Sequence, residues 1–130
     1  MTVHTQNPER SDILVELWRF HHCTESKTVV NAGASAMTLK AGLPMDDNVP
    51  VDAGDEANTD GLLADTHVIP AGESKKVLVI SKAPVTCRAD GIQALDKDGA
   101  ALATATIQAT LEALDFVFRD EPETTEQQTT

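Results

Sequence analysis

Aromatic side chains are scarce in this sequence of 130 residues. It has no tyrosine, one tryptophan and three phenylalanines, together 3% of the chain. Each aromatic side chain would remove about 150–250 Å² from water, so the core must rely on aliphatic residues and alanine. A chain of this length fits one domain and buries roughly two-thirds of its unfolded surface. We therefore expect one small domain that is either modestly stable alone or supported by neighbouring subunits.

Positive charge is scarce too. Ten Lys and Arg stand against twenty-one Asp and Glu, which gives a net charge of −11. Binding to nucleic acid depends on clustered basic residues that neutralise phosphates, so this balance argues against a nucleic-acid partner. The acidity fits a solubility role or a salty habitat, and composition does not separate the two.

Long apolar runs and export signals are missing. No run approaches the roughly 20 residues of a membrane span, so we expect no membrane partner. Residues 1–7 lack the basic start and the apolar stretch of a signal peptide. We therefore expect a soluble protein made inside a cell. Its two cysteines, Cys23 and Cys87, are then expected to be free thiols.

Catalytic motifs are also missing. The sequence contains no nucleophile elbow, no phosphate-binding glycine loop and no dinucleotide fingerprint. Asp65-Thr66-His67 differs from the D-T-G of aspartic proteases because a histidine occupies the glycine position. His67 could act as a general base, but the sequence places no Ser or Cys for it to activate. We expect a protein that is not an enzyme and needs no cofactor.

Two stretches carry residue types that bind metals. In His21-His22-Cys23, neighbouring strand residues would point to opposite faces, and no partner motif exists elsewhere. The acidic residues 46–60 fail the EF-hand pattern, because His67 falls where a bidentate Glu is required. We expect no metal site, with an irregular calcium site in residues 46–60 as the alternative.

What the sequence does contain is a series of short β segments joined by glycine turns. The predicted strands are residues 12–20, 27–31, 37–40, 62–64, 76–80 and 85–88. A short helix is the alternative for residues 12–20. A turn at Pro70-Ala71-Gly72 precedes the strand predicted at residues 76–80. Pro50 restricts its neighbours Val49 and Val51 to an edge strand or an irregular extended segment.

The carboxyl-terminal part predicts one helix. Residues 100–114 carry Ile107, Leu111 and Leu114 on one stripe, with Asp98 as the expected N-cap. Residues 115–119 either extend this helix or form a final strand. We divide the chain into an amino-terminal arm (residues 1–11, expected to be flexible), a domain (residues 12–119), and an acidic tail (residues 120–130, expected to be disordered).

Five sequence blocks, read in order, resemble a known family. They are V-V-N-A-G, L-K-A-G-L, V-P-V-D, D-G-L-L-A-D and A-G-E-S-K-K-V-L-V-I, followed by the helix, within residues 27–118. Their order and spacing are similar to those of the lambda-type head decoration proteins of bacteriophages, which cement capsids. The chain departs from that family at A-G-L-P-M, where members carry G-x-V-L-G, and in its acidic tail.

The resemblance implies an α+β, mostly β fold of the β-clip or β-barrel-like kind with a carboxyl-terminal helix. It also implies a homotrimer that binds the major capsid protein on the outside of the mature capsid and stabilises the shell against DNA pressure. Such a protein is made in the host cytoplasm and ends in the virion. The arm could add a strand to a capsid sheet edge.

The candidate capsid-binding residues are Thr2, Val3, His4, Thr5, Ile13, Val15, Leu17 and Trp18. Two alternatives stay open. One is a small β-rich binding or adaptor module that uses residues 46–60, with calcium as an option. The other is a different virion component, such as a tail protein.

Overall fold

The computed structural model describes residues 13–14 and 20–119. Within these residues the helices are α1 (Phe20–Cys23) and α2 (Thr104–Glu112). The strands are β1 (Thr24–Val30), β2 (Met37–Leu39), β3 (Pro44–Asp46), β4 (Val49–Pro50), β5 (Gly61–Leu63), β6 (His67–Ile69), β7 (Ser74–Ile80), β8 (Val85–Arg88) and β9 (Phe116–Arg119). The prediction of an α+β, mostly β domain is confirmed.

A five-stranded sheet with the order β1-β7-β5-β3-β4 forms the centre of the fold. Its two long strands, β1 and β7, pair antiparallel from Thr24↔Ile80 to Val30↔Ser74. β7 begins with exposed polar residues and ends in buried aliphatic ones, so it runs from the surface into the core. Pro50 lies in the two-residue edge strand β4, where its missing amide hydrogen costs no ladder bond.

The sheet curls until its two edges meet. Lys27 on β1 forms an ion pair with Asp47 in the β3–β4 turn, at 2.7 Å. Next to it, Asn48 Nδ2 donates a hydrogen bond to the carbonyl oxygen of Thr28 at 3.1 Å. Hydrogen bonding to Asp47 and then Glu25 raises the pKa of Lys27 above its usual range. Side chains make these contacts, so the sheet is barrel-like without a closed backbone ladder.

Two hydrophobic clusters lie on opposite faces of the central strand β5. Leu62 belongs to one cluster, together with Ile107 and Leu111 of α2, and all three are fully buried. The neighbouring Leu63 belongs to the other cluster, which contains Val29 and Val79. Successive strand residues point to opposite faces, so β5 is buried on both sides. The expected aliphatic core is present.

Two smaller sheets complete the fold. β2 and β6 pair antiparallel, and β8 and β9 pair parallel. Leu14 makes an antiparallel bridge to Cys87 of β8. The amide of Arg88 donates a hydrogen bond to the carbonyl oxygen of Ile13 at 2.6 Å. We call this group (Ile13–Leu14, β8 and β9) the terminal sheet, because it contains the first and the last residues that the structure describes.

The predicted helix 100–114 is too long at its amino end. α2 begins at Thr104, and Asp98 does not cap it. The backbone amides ahead of the helix form other hydrogen bonds: the amide of Ala100 donates to Asp96 Oδ1, and the amide of Leu102 donates to the carbonyl oxygen of Ala94. The amide of Ala103, just before the helix, donates to Glu56 Oε2 at 3.0 Å. Residues 116–119 form the strand that was one of two alternatives.

Other local predictions also need correction. Residues 20–23 form a helical turn, whereas the prediction placed Phe20 in a strand and the histidines at a polar strand end. For residues 46–60, the acidic stretch considered for calcium, we expect a long polar loop from the sequence, but they contain the end of β3, the strand β4 and a 3-10 turn at Glu56–Asn58. Among the described residues, none of the helices has the length and apolarity needed to span a membrane.

Candidate functional site

Of the eight candidate capsid-binding residues, one falls in the part of the chain that the structure describes. Ile13 is fully buried in the chain's own core. Its side chain therefore packs inside the domain and is not part of an exposed surface, which removes Ile13 from the candidate contact set. The other seven, Thr2, Val3, His4, Thr5, Val15, Leu17 and Trp18, lie outside the described residues.

The terminal sheet brings the two ends of the domain together. Leu14 pairs with Cys87 on one side of β8, and Phe118 pairs with Cys87 on the other side. The segment at Leu14 and the strand β9 therefore flank the same strand, β8, on its two sides. Phe116 and Phe118 stack, with ring centroids 6.3 Å apart. The arm and the acidic tail connect to this one sheet.

Burial makes the thiol of Cys87 on β8 a poor nucleophile. Cys23 and Cys87 are buried in the same cluster and do not form a disulfide. Burial, with a smaller contribution from Cys23, raises the pKa of Cys87 to about 12. A thiol of this kind is protonated at neutral pH and is a poor nucleophile. Cys87 is a packing residue of the terminal sheet.

Three carboxylates meet near the acidic segment that the sequence offered for calcium. The side-chain oxygens of Asp52, Asp96 and Asp98 lie within 4.8 Å of one another. The ammonium group of Lys97 lies between them, 2.7 Å from Asp52 Oδ1 and 3.3 Å from Asp98 Oδ2. The cluster therefore already contains a cation supplied by the chain itself.

Asp96 is the structural centre of this cluster. Its Oδ1 accepts hydrogen bonds from the amides of Asp98 and Ala100, at 2.9 and 2.8 Å. Its Oδ2 accepts one from the amide of Ala53 at 3.0 Å. These backbone bonds, the one from Ala53 first, lower the pKa of Asp96. The nearly buried carboxylate thus holds two loops together, which is a structural role that local sequence pattern does not reveal.

His67, the candidate general base, sits at the start of β6. Its Nε2 is buried and has no hydrogen-bond partner in the described structure. Burial, followed by the charge of Lys75, lowers its pKa. These surroundings favour the neutral form of the imidazole. The expectation that the protein is not an enzyme stays a prediction.

The geometry of the described residues defines a small curled β domain with an ordered acidic turn, in which Leu14 and Phe118 pair with the same strand, β8. Comparison with protein-family models, with curated proteins and with solved structures gave no match to this chain.

Proposed function

We propose that this protein is a viral capsid decoration protein, which binds the outside of a mature capsid as a homotrimer and stabilises the shell. Its partner would be the major capsid protein, and its final location the virion. The proposal starts from the resemblance of the sequence blocks within residues 27–118 to lambda-type decoration proteins. The mostly β fold is compatible with that resemblance.

The observation that carries the proposal is the anchoring of the arm. Ile13 and Leu14 are 0% and 2% exposed and are fixed to β8. Residues 1–12 are therefore joined to a fixed point in the core, and a segment of twelve residues can span at most about 40 Å. A segment tethered in this way can add a strand to a neighbouring sheet edge, while the domain keeps its fold.

Association in threes would strengthen such binding without strong single contacts. Once one arm is bound, the remaining arms of a trimer act at a high effective concentration, so avidity can exceed single-site affinity by about 10²–10⁴-fold. This is a suitable arrangement for a small domain that must resist pressure from inside a shell.

The test is co-sedimentation of the full chain with expanded capsids, compared with two truncations. Without residues 1–11 the chain begins at Asp12 and keeps the buried Ile13. The variant should therefore keep its circular dichroism spectrum and lose capsid binding. Removal of residues 120–130 is the matched control, because the tail joins the same terminal sheet; binding should persist.

Capsid binding that survives removal of residues 1–11 would disprove the role of the arm. Failure of the full chain to bind expanded capsids under any salt condition would disprove the function. The calcium-dependent adaptor is not favoured by the structure of the acidic cluster, in which Lys97 already bonds to Asp52 and Asp98.

A further inference from the structure

The strands β2 and β6 form a two-stranded ribbon over one of the two hydrophobic clusters, and we call it the β2–β6 ribbon. Its residue pairs are Met37↔Ile69, Thr38↔Val68 and Leu39↔His67. Leu39 and Ile69 are fully buried in the cluster that also contains Val29 and Val79. A pairing this short contributes little stability by itself, so packing on the cluster is what keeps the ribbon in place.

His67 lies at one end of the β2–β6 ribbon, opposite Leu39. Successive strand residues point to opposite faces, so His67 shares with Ile69 the face that is turned to the cluster. Val68, between them, is 53% exposed. The side chain of His67 is half-buried, but its Nε2 is fully buried and has no hydrogen-bond partner among the described residues.

This position of Nε2 suits the neutral imidazole and not the protonated one. In the neutral ring one of the two nitrogens carries no hydrogen, whereas in the protonated ring both nitrogens are donors. Protonation of His67 therefore creates a buried N–H group that lacks an acceptor, and a buried donor without a partner is costly. Nε2 can reach water only if the ribbon moves away from the cluster.

The charged groups near His67 also oppose its protonation. β7, which packs against β6, carries Lys75 and Lys76, whereas β2 carries no charged residue and Lys40 follows it. Burial first, and then the charge of Lys75, lower the pKa of His67. Asp65 acts in the opposite direction with a smaller effect. The local charge therefore adds to the cost of the unpaired N–H group.

We infer that the β2–β6 ribbon is an acid-sensitive element, which loosens from the cluster beneath it when His67 is protonated, while the central sheet stays folded. The loosening exposes Leu39 and Ile69 and gives Nε2 access to water. Three carboxylates elsewhere in the domain, on Glu25, Glu56 and Asp96, have lowered pKa values, so they keep their charge in the range where histidine titrates. The inference concerns the chain alone and does not depend on capsid binding.

The pH range follows from the direction of the pKa shift. The pKa of His67 is lowered in the closed ribbon, and in an open ribbon it returns to the ordinary value of 6.5. The stability of the closed ribbon is therefore complete above pH 6.5, and it is lost as the pH falls from 6.5 towards the lowered pKa. At a pH one unit below the ordinary value, the ratio of open to closed ribbon should rise by up to about tenfold.

The experiment measures amide hydrogen exchange of the full chain at about pH 7.5 and pH 5.5, corrected for the intrinsic effect of pH on exchange. Protection of residues 37–39 and 67–69 should fall by about three- to tenfold at the lower pH, while protection in β1 and β7 stays the same. His67→Met keeps apolar bulk without an ionisable group, so its ribbon should have the same protection at both pH values. His22→Gln is the matched control, because His22 is exposed, and it should behave as the wild type does.

Ribbon protection that does not depend on pH in the wild type would overturn the inference. An equal loss of protection in β1 and β7 would overturn it too, since the whole domain would then be unfolding. So would a loss that persists in His67→Met. If that variant does not fold, the titration of His67 in the wild type, followed by nuclear magnetic resonance, decides: a pKa at or above the ordinary value refutes the inference, and a lowered pKa with the ribbon-specific loss supports it.

Discussion

Replacing Gly42 with alanine should destabilise this fold far more than replacing other glycines of similar conformation. Gly42 has a φ of +91°, and a Cβ at this position would overlap the backbone carbonyl oxygen of Gly91. This glycine stands in the corner A-G-L-P-M, residues 41–45. The corner connects β2 to β3 and contacts the segment after β8.

The expected cost follows from what surrounds the corner. A left-handed conformation costs a residue with a side chain about 1–2 kcal/mol. Because the overlapping atom belongs to the backbone, relief requires separation of residues 41–42 from residues 91–93. That movement weakens two hydrogen bonds, from Gln93 N to the Gly42 oxygen (3.1 Å) and from Gln93 Nε2 to the Ala41 oxygen (2.9 Å). With about 0.5–1.5 kcal/mol for each, we expect a total loss of about 2–5 kcal/mol.

Gly72→Ala is the matched control. Gly72 has a φ of +76°, and a Cβ there would have no atom within 4 Å. Only the conformational cost of about 1–2 kcal/mol applies. The effect of alanine on the unfolded chain is common to both variants and cancels in the comparison.

The assay is urea unfolding of both variants, followed by far-ultraviolet circular dichroism, with free energies extrapolated at equal slope. Gly42→Ala should be less stable than Gly72→Ala by at least about 1 kcal/mol, the smallest difference expected from the lost hydrogen bonds. A difference of less than about 0.5 kcal/mol between the two, within the usual range of surface substitutions, would refute the packing of the corner against Gly91.

Two further predictions concern the arm anchor and the acidic turn. Ile13→Ala removes a fully buried side chain and should lower the free energy of unfolding by about 2–5 kcal/mol in urea titrations. Unchanged stability combined with lost capsid binding would instead make Ile13 a capsid-binding residue. The pKa of Asp96 is lowered in the folded protein. The contribution of this carboxylate to stability is therefore complete above the ordinary aspartate pKa of about 4, and it is lost as the pH falls through the lowered pKa of the folded state. Asp96→Asn should therefore flatten the dependence of the urea midpoint on pH below about 4, and a wild-type slope in this variant would contradict the assignment.

Several features of this protein follow from the sequence by itself. The run K-K-V-L-V-I after the Pro70-Ala71-Gly72 turn predicts a strand, and it lies in β7, a long strand inside the central sheet. The predicted strands at 37–40, 62–64 and 85–88 also correspond to observed ones, shifted by a residue at most. Local alternation and glycine turns suffice for these elements, because a strand with one or two buried faces has its pattern in consecutive residues.

The remaining features depend on contacts between residues far apart in the chain. α2 begins at Thr104 because Glu56, 47 residues earlier, accepts the Ala103 amide hydrogen bond, and no local pattern contains that partner. Likewise, the sequence analysis lists Ile13 as a candidate capsid contact, but Ile13 is buried because its carbonyl oxygen bonds to Arg88 of β8, 75 residues further along the chain. Val30 and Val49, from strands at opposite ends of the sheet order, line one cleft because the sheet curls. Sequence pattern shows which face of an element is apolar, while only tertiary structure determines what covers that face.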